Sequence, residues 1–215
     1  MNIVVRHATK KYRIQTALDD VSCDFASRQI HGIIGRNGSG KTVLLRSLCG
    51  YTKLSSGEIL FDGKKLGQDM EFPQSMGILI DSPSFIPRFT AKENLQLLMN
   101  ISKRSKEDKA MRIKQAIIQV GLEEQSRKRV SQYSLGMKQR LGIAQAIMEQ
   151  PDLLILDEPF NGLDRDGVKS IQELLLKERE RGATILLTSH YPDDLAAICD
   201  TITRLDGGHI VNKES

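Results

Sequence analysis

A glycine-rich segment, residues 35 to 42, constrains this chain more than any other part of its sequence. It matches the pattern G-x-x-x-x-G-K-[ST], and it follows an apolar strand pattern at Ile30 to Ile34 and precedes a helical pattern. In such a loop, backbone N–H groups at the start of a helix bind phosphate. The segment therefore predicts a nucleotide-binding loop on an α/β framework. Its residues are Gly35, Arg36, Asn37, Gly38, Ser39, Gly40, Lys41 and Thr42.

The last two residues of this loop have predicted roles of their own. Lys41 would reach the β- and γ-phosphates of the nucleotide, and the hydroxyl of Thr42 would bind Mg²⁺. A glycine-rich turn can match the pattern by chance, but the strand before it and the helix after it argue against that origin. The pattern alone does not distinguish kinases, GTPases and transport ATPases, because all of them share it.

A second motif lies where the aliphatic run Leu153 to Leu156 ends in two carboxylates, Asp157 and Glu158. The run is typical of a strand that is buried on both faces. Paired carboxylates after a strand are often helix caps or surface charges, but a phosphate-binding loop earlier in the chain favours a catalytic site. We expect Asp157 to bind the metal ion and Glu158 to act as the general base that activates water.

The order of patterns along the chain predicts an α/β protein that carries a helical insertion. Strand patterns occur near residues 3–6, 17–25, 30–34, 57–61, 76–81, 153–157, 183–189 and 201–205. Helical patterns occur at 41–49, from Thr90 with a capping box to Glu93, and at 106–120, 134–150, 166–181 and 193–198. Because the patterns between about 90 and 150 are only helical, that part is expected to be an insertion.

Composition narrows the class of protein further. With 215 residues, of which 40% are hydrophobic and 27% charged, the chain is expected to form one globular domain. No apolar run approaches the length of about 20 residues that a membrane-spanning helix needs. The N-terminal segment places charges where a secretory signal would be apolar, so a cytoplasmic location is expected.

The charged and sulfur-containing residues give weaker indications. The net charge of +4 is too small to identify nucleic acid as a partner. Two basic runs, residues 103–114 and 127–129, are interpreted as solvated surface because no aromatic residues are interleaved with them. The cysteines Cys23, Cys49 and Cys199 lack the paired spacing of a zinc or redox site, so we interpret them as small buried apolar residues.

The segment Y-S-L-G-M-K-Q-R, residues 133 to 140, lies between the two motifs. This order resembles the nucleotide-binding subunit of ABC transporters, whose signature sequence, commonly L-S-G-G-Q, occupies that place. The resemblance covers essentially the whole chain and includes N-G-L-D at 161–164 and T-S-H at 188–190. It implies a P-loop NTPase with an ABC-type ATPase core, an antiparallel β edge and a helical subdomain inserted at about 85–150, all within a single domain, 1–215.

The resemblance implies a function for four more residues. Ser134 and Gly136 would form a second anion cradle that closes on the nucleotide bound by an opposite subunit. Hydrolysis of ATP, with Mg²⁺ as the metal ion, would therefore require two chains, either a homodimer or a paralogous heterodimer. His190 would contact the γ-phosphate and hold Glu158. Tyr12 would stack on adenine, although a tyrosine between two strands is often only packed. Leu135 and Met137 depart from the signature, but the contact residues are retained.

Asp81 is a larger departure, because the family normally has glutamine there, touching Mg²⁺ and the attacking water. An acidic residue followed by S-P-S-F-I-P-R-F resembles ATPases of exporters that confer resistance or immunity to bacitracin and lantibiotics, which usually carry glutamate. The shorter Asp81 could need a bridging water to reach the metal. The apolar segment 83–89 is either a hinge packed on its own domain or a groove for a partner's helix, and we favour the groove.

Two functions remain at this point. The first is the ATP-hydrolysing subunit of a bacterial ABC exporter for antimicrobial peptide or drug resistance, held on the inner face of the cell membrane by separate transmembrane permease subunits. The alternative is a soluble ABC ATPase that acts on nucleic acid or the ribosome. The single phosphate loop and the lack of a long coiled-coil insertion oppose the alternative, so no nucleic acid partner is expected.

Overall fold

The computed structural model describes residues 1–81, 84–101, 109–123 and 126–214. The strands are β1 (Ile3–Lys11), β2 (Thr16–Phe25), β3 (Ile30–Ile34), β4 (Ser56–Phe61), β5 (Lys64–Lys65), β6 (Met76–Leu79), β7 (Leu153–Leu156), β8 (Thr184–Ser189), β9 (Thr201–Asp206) and β10 (His209–Glu214). The helices are α1 (Lys41–Leu48), α2 (Ala91–Ile101), α3 (Lys109–Gln119), α4 (Leu135–Ile147), α5 (Arg165–Glu180) and α6 (Pro192–Ala196). A short 3-10 helix spans Val130–Gln132.

The strands form two sheets. The first is antiparallel and has the order β2-β1-β4-β5. The second has the order β10-β9-β3-β8-β7-β6, in which β9, β3, β8, β7 and β6 are parallel and β10 is an antiparallel edge. Strands β3, β7 and β8 lie inside this sheet, so their carboxyl ends meet at one edge, where ligands bind in open α/β sheets.

The pleat of the parallel sheet separates two apolar clusters. On β3, Ile30 and Ile34 pack into a cluster with the helices of the middle of the chain, whereas Ile33 packs with α1 and the antiparallel sheet. On β7, Leu154 belongs to the first cluster and Leu153 to the second. Successive side chains point to opposite faces, which explains why both strands are buried at every position.

Helices α2, α3 and α4 lie between β6 and β7 in the chain, the region predicted to be purely helical. The predicted capping box at the start of α2 is present, since the carboxylate of Glu93 accepts from the Thr90 N–H at 2.7 Å and the Glu93 N–H donates to the Thr90 hydroxyl at 3.2 Å. The predicted stop of α3 is also present, because Gly121 follows it with φ of +73°. The predicted beginning of α3 at 106–108 lies outside the described residues.

Several element boundaries differ from the predictions. Strand β1 runs to Lys11 because register shifts beyond Val5 let it continue past the left-handed His7. Strand β6 ends at Leu79 instead of Asp81, since Asp81 has φ of +60° and cannot extend the strand. Strands β5 and β10 were not predicted, and each follows a tight turn.

The cysteines confirm their interpretation as apolar residues. None of the three forms a disulfide, Cys23 and Cys49 are buried in one apolar cluster, and the partly buried Cys199 packs against the other. Burial raises the pKa of the Cys49 and Cys199 thiols to about 12. In the described ranges we find no group of three or more His, Cys, Asp or Glu side chains placed to hold a metal ion.

Two surface features complete the fold. The run Arg127, Lys128 and Arg129 is exposed, as its interpretation as solvated surface requires. Half of the other basic run, residues 103–108, lies outside the described residues. None of the helices in the described ranges combines the length and the apolar character needed to cross a membrane.

Candidate active site

The glycine-rich loop connects β3 to α1 and packs closely against two neighbouring strands. Gly40 has φ of +107°, and a Cβ atom there would lie 2.5 Å from the carbonyl oxygen of Ala17 in β2. A Cβ atom at Gly35 would lie 2.2 Å from the carbonyl oxygen of Leu205 in β9. Only glycine fits at these two positions, because other side chains would collide with backbone.

A cleft of about 300 Å³ lies over this loop and contains most of the predicted site. Its lining includes Tyr12, the loop residues Arg36 to Thr42, Asp157, Glu158 and His190. Gly35 supports the loop from behind and does not line the cleft. A larger cleft of about 420 Å³ between α1 and β4 contains none of the predicted residues, so size alone does not identify the site.

Lys41 is nearly fully buried, with its side chain 6% exposed. Its Nζ donates to the carbonyl oxygen of Gly35 at 2.8 Å and lies 3.8 Å from Oε1 of Glu158. Lys41 thus connects the end of the loop to its beginning at Gly35, and its ammonium group faces the carboxylate of Glu158. Ser39 Oγ is buried and has no hydrogen-bond partner among the described residues, which fits a ligand with acceptor oxygens such as phosphate.

Three oxygen-bearing side chains form a chain of hydrogen bonds across the ends of β7 and β8. The Thr42 hydroxyl donates to Oδ2 of Asp157 at 2.7 Å, and the Thr188 hydroxyl donates to Oδ1 of Asp157 at 2.6 Å. A hydroxyl and a carboxylate within hydrogen-bond distance provide the hard oxygen ligands that Mg²⁺ prefers, with the remaining positions left to water and phosphate. These residues therefore fit the expected metal ion.

Glu158 has an unusual backbone and a partly buried carboxylate. Its φ is +49°, in the left-handed region that non-glycine residues rarely adopt, and its N–H donates to Thr188 Oγ1 at 2.8 Å. Burial raises the pKa of Glu158, an effect that His190 and Lys41 oppose and Asp157 reinforces. A carboxylate with this surrounding suits a general base better than a fully solvated one.

His190 follows β8 and lies directly beside Glu158. Its Nε2 is 3.0 Å from Oε1 of Glu158, and its backbone N–H donates to Oε2 at 3.2 Å. The backbone N–H therefore holds Oε2, while the ring lies beside Oε1, which is buried and accepts no hydrogen bond from the described residues. The other histidines of the chain, His7, His31 and His209, do not line the cleft.

Tyr12 lies just beyond β1 at the rim of the cleft and is 49% exposed. Its backbone N–H donates to the Gln15 carbonyl at 2.8 Å, and Lys10 Nζ lies 5.0 Å from the ring centroid. The ring is therefore not buried in either apolar cluster, so packing alone does not explain it. An exposed aromatic ring at the rim suits stacking on a base.

The predicted second cradle lies away from this cleft. Ser134 caps α4, its hydroxyl accepting from the Met137 N–H at 3.2 Å, and neither Ser134 nor Gly136 lines the cleft. A Cβ atom at Gly136 would lie 2.6 Å from the carbonyl oxygen of Gly162. Leu135, which replaces a signature glycine, is 60% exposed. Segment 134–136 thus packs on the 161–164 loop and faces outward from its own nucleotide cleft.

Asp81 is also outside the cleft. Its carboxylate accepts from Nη2 of Arg46 on α1, and this hydrogen bond raises the pKa of the arginine. Both side chains are substantially exposed, so the pair adds little to stability. Asp81 instead lines a groove of about 450 Å³ with Tyr51, Ile78, Leu98 and other residues of β6, α2 and α4.

Two site residues were missed by the sequence analysis. Thr188 bridges Asp157 and the Glu158 backbone, and Gln139 donates from Nε2 to the Glu158 carbonyl oxygen at 2.9 Å. Thr188 stands in the T-S-H motif at the end of a predicted strand, so its position beside the parallel strand ends could have indicated it. Gln139 has no comparable signal, because a polar residue in a helix is usually exposed.

Comparisons with known proteins agree with this geometry. The family described as ABC transporter matches residues 18–161, more than half of the chain. The uncharacterized ABC transporter ATP-binding protein YybJ of Bacillus subtilis is 42% identical over 99% of the chain and 96% of its own length. The bacitracin transport ATP-binding protein BcrA of Bacillus licheniformis is 36% identical over 95% of the chain and 67% of its own.

Further similarity extends to a lantibiotic transporter component and to solved structures. The lantibiotic transport ATP-binding protein SrtF of Streptococcus pyogenes is 31% identical over 96% of the chain and 88% of its own length. The dimeric structure of the bacterial ABC transporter cassette MJ0796 superposes with a TM-score of 0.89 at 26% identity, covering 99% of the chain and 98% of its own. A post-hydrolysis dimer of MJ0796 with ADP and phosphate gives 0.88 at 25% identity, with the same coverage of both chains.

Proposed function

The chain belongs to the ABC transporter family as an ATP-binding ATPase subunit with the predicted ABC-type fold, and we propose that it powers a bacterial exporter for antimicrobial peptides or related drugs. The observation that carries this proposal is the similarity over almost the whole chain to ATP-binding proteins of bacitracin and lantibiotic transport. The acidic residue Asp81 adds support, since it departs from the usual glutamine in the same direction as that subgroup. The chain is proposed to be one ABC ATPase domain, 1–215, with its helical subdomain at about 85–150.

In this proposal the cleft binds ATP through the loop and through Tyr12. Successive N–H groups at the start of α1 would contact the phosphates, Lys41 would neutralise the β- and γ-phosphates, and Tyr12 would stack on adenine. Thr42 and Asp157 would hold Mg²⁺, which supplies charge neutralisation between those phosphates. Thr188 orients Asp157 through a 2.6 Å hydrogen bond.

Glu158 is proposed as the general base for hydrolysis. Its carboxylate would accept a proton from the water that attacks the γ-phosphorus, while the bond from that phosphorus to the β–γ bridging oxygen breaks and the oxygen leaves with ADP. The backbone N–H of His190 holds one carboxylate oxygen and the ring lies 3.0 Å from the other, and the ring would donate to the γ-phosphate when nucleotide is bound. The residues proposed as base, metal ligands and phosphate loop all lie at the same edge of the sheet.

A second chain is proposed to complete the site. Ser134 and Gly136 lie outside the cleft of their own chain and would therefore contact a nucleotide held by another subunit. The dimeric cassette structure with a TM-score of 0.89 supports such an arrangement. The partner would be a second copy of this chain or a paralogue.

The groove at Asp81 is proposed as the docking place of a transmembrane permease subunit. It is about 450 Å³ in size and is bounded by Tyr51, Ile80 and Leu98 as well as by Asp81 and Ser84. Its walls combine apolar side chains with the polar Asp81, Ser84 and Gln145, a mixture that suits an amphipathic helix of the permease. Docking there would hold the chain as a peripheral subunit on the cytoplasmic face of the membrane.

Purification from detergent-solubilised membranes tests the transport proposal. The chain should be recovered with a polytopic permease subunit, whose binding should weaken when Tyr51 or Leu98 in the groove is replaced by a charged residue. Recovery without such a partner, together with salt-dependent binding of RNA or DNA at physiological ionic strength, would instead support the ATPase that acts on nucleic acid.

Asp81→Ala should lower the ATPase stimulation that the permease produces by more than it weakens ATP binding. The reason is that Asp81 lines the docking groove and contacts α1 through Arg46, but does not line the nucleotide cleft. We expect stimulation to fall about fivefold or more, comparable to the coupling of 1–3 kcal/mol typical between two sites. ATPase assays in proteoliposomes measure the stimulation, and fluorescent nucleotide titration measures binding.

Asp81→Glu provides the matched control for this experiment. It restores the carboxylate that related exporters usually carry, so we expect most of the stimulation to be retained. Equal stimulation of Asp81→Ala and the parent protein would show that Asp81 does not connect permease docking to hydrolysis.

A further inference from the structure

The backbone of Glu158 is held from both sides in its left-handed conformation. Its N–H donates to Thr188 Oγ1 at 2.8 Å, and its carbonyl oxygen accepts from the Asn161 N–H at 3.1 Å and from Nε2 of Gln139 at 2.9 Å. A left-handed glutamate persists only where surrounding contacts determine it. Gln139 is the one of these three partners that comes from the helical part of the chain.

Gln139 is placed to transmit the position of α4 rather than to bind nucleotide. It is 8% exposed and does not line the cleft. It lies five residues after Ser134, the cap of the same helix, which is about 7.5 Å along a helix axis. Because a helix moves as a rigid element over that distance, a displacement of Ser134 also displaces Gln139.

A second contact also connects the start of α4 to the backbone of Glu158. The first turn of α4 touches the 161–164 loop, since a Cβ atom at Gly136 would lie 2.6 Å from the Gly162 carbonyl oxygen. The same loop begins with Asn161, whose N–H bonds the Glu158 carbonyl. The start of α4 therefore reaches the Glu158 backbone directly through a buried side chain and indirectly through the loop.

We propose that Gln139 is a positioning residue that makes the placement of Glu158 depend on the anion bound at Ser134 and Gly136 of the same chain. The inference rests on the proposed roles of Glu158 and of the Ser134 cradle. In the dimer, the cradle of one chain would bind the nucleotide of the opposite subunit. Each catalytic carboxylate would then reach its working position only when the neighbouring cleft is also filled.

Gln139→Met tests this role, because methionine keeps the length of the side chain and removes the N–H donor. We expect kcat for ATP hydrolysis to fall about tenfold, since small misplacements of a catalytic group can reduce rates by up to about a hundredfold. The KM for ATP and the nucleotide affinity should stay unchanged, because Gln139 does not line the nucleotide cleft that contains the phosphate loop. Gln115→Met, the same change at an exposed position of α3, should match the parent protein.

The second measurement combines Gln139→Met with Glu158→Gln in a double variant. Size-exclusion chromatography with and without ATP measures how readily this variant forms the ATP-bound dimer. If Gln139 acts through Glu158, the double variant should form the ATP-bound dimer as readily as Glu158→Gln alone. Loss of the dimer, or a raised KM, would mean that Gln139 only supports the fold of α4 and would overturn the inference. Should Met lower the melting temperature, Gln139→Leu, which is uncharged and also lacks the donor, carries the same expectations.

The outcomes separate this inference from the function on which it depends. A parent-like kcat for Gln139→Met together with an inactive Glu158→Gln would reject the positioning role and leave the base assignment standing. A parent-like kcat for Glu158→Gln would reject the base assignment itself, and with it the positioning role.

Discussion

Glu158→Gln is expected to lower ATP turnover by about 10²- to 10⁴-fold, the contribution typical of a general base, while ATP binding is retained. The amide keeps the shape of the side chain and can still contact His190, but it cannot accept a proton at neutral pH. Contacts of Lys41 with the Gly35 carbonyl do not involve the carboxylate, so the phosphate loop should keep its geometry. Phosphate release at saturating ATP measures the turnover.

The same variant should accumulate an ATP-bound dimer, because hydrolysis of ATP would normally end the lifetime of that dimer and the variant hydrolyses ATP slowly. Size-exclusion chromatography with and without ATP gives this second measurement. Glu173→Gln makes the same chemical change on the exposed face of α5 and should leave both turnover and dimer content unchanged. Turnover by Glu158→Gln at the rate of the parent protein would reject Glu158 as the general base.

Lys41→Met should weaken ATP binding by at least about tenfold to a hundredfold. A hydrogen bond to a charged group is worth about 1.5–3 kcal/mol, and the lysine would make such bonds to two phosphates. The substitution also removes a cation that lies 3.8 Å from the partly buried carboxylate of Glu158 and lowers its pKa. The loss of ATP binding should therefore be accompanied by a higher pKa of Glu158. Isothermal titration with ATP measures the affinity.

The control for this variant is Lys64→Met, which changes an exposed lysine of β5 far from the phosphate loop. Its ATP affinity should match that of the parent protein. If Lys41→Met also bound ATP with the affinity of the parent, the assignment of residues 35–42 as the phosphate-binding loop would be wrong.

The sequence predicted best those features that depend on local chemistry. The loop 35–42, the strand before Asp157 and the capping box at Thr90 each need particular residue types at fixed spacing, so the pattern identifies them without knowledge of the fold. The α/β class followed from the alternation of strand and helix patterns. The helical region followed from the lack of strand patterns between about 90 and 150.

Two strands were missed although their turns carry a recognisable signal. Strand β5 follows Asp62 and Gly63, with φ of +48° and +82°, and β10 follows Gly207 and Gly208, with φ of +53° and +86°. Asp-Gly and Gly-Gly pairs with two positive φ angles are typical of tight hairpins. These dipeptides therefore predict both hairpins. The strands after them were missed because β5 has only two residues and β10 is largely polar, so neither shows the apolar alternation of a strand.

Hydrogen bonds between side chains and residues far apart in the chain could not be predicted from the sequence. The contact of Asp81 with Arg46 joins the end of β6 to α1, and the contact of Gln139 with Glu158 joins α4 to the turn after β7. Neither pair has a fixed spacing, because both depend on how helices pack against the sheet. The left-handed backbone of Glu158 is equally invisible in the sequence, since tertiary contacts and not residue type impose it.

The pleat of the parallel sheet also shapes how this chain can change during evolution. Leu153 and Leu154 are neighbours in the chain, yet one packs with α1 and the antiparallel sheet and the other with the helical part. A loss of volume at Leu153 therefore acts on the packing of α1 and the antiparallel sheet, whereas a loss at Leu154 acts on the packing of the helical part. Substitutions at every second residue of this strand can thus change one cluster while the packing on the opposite face of the sheet is kept.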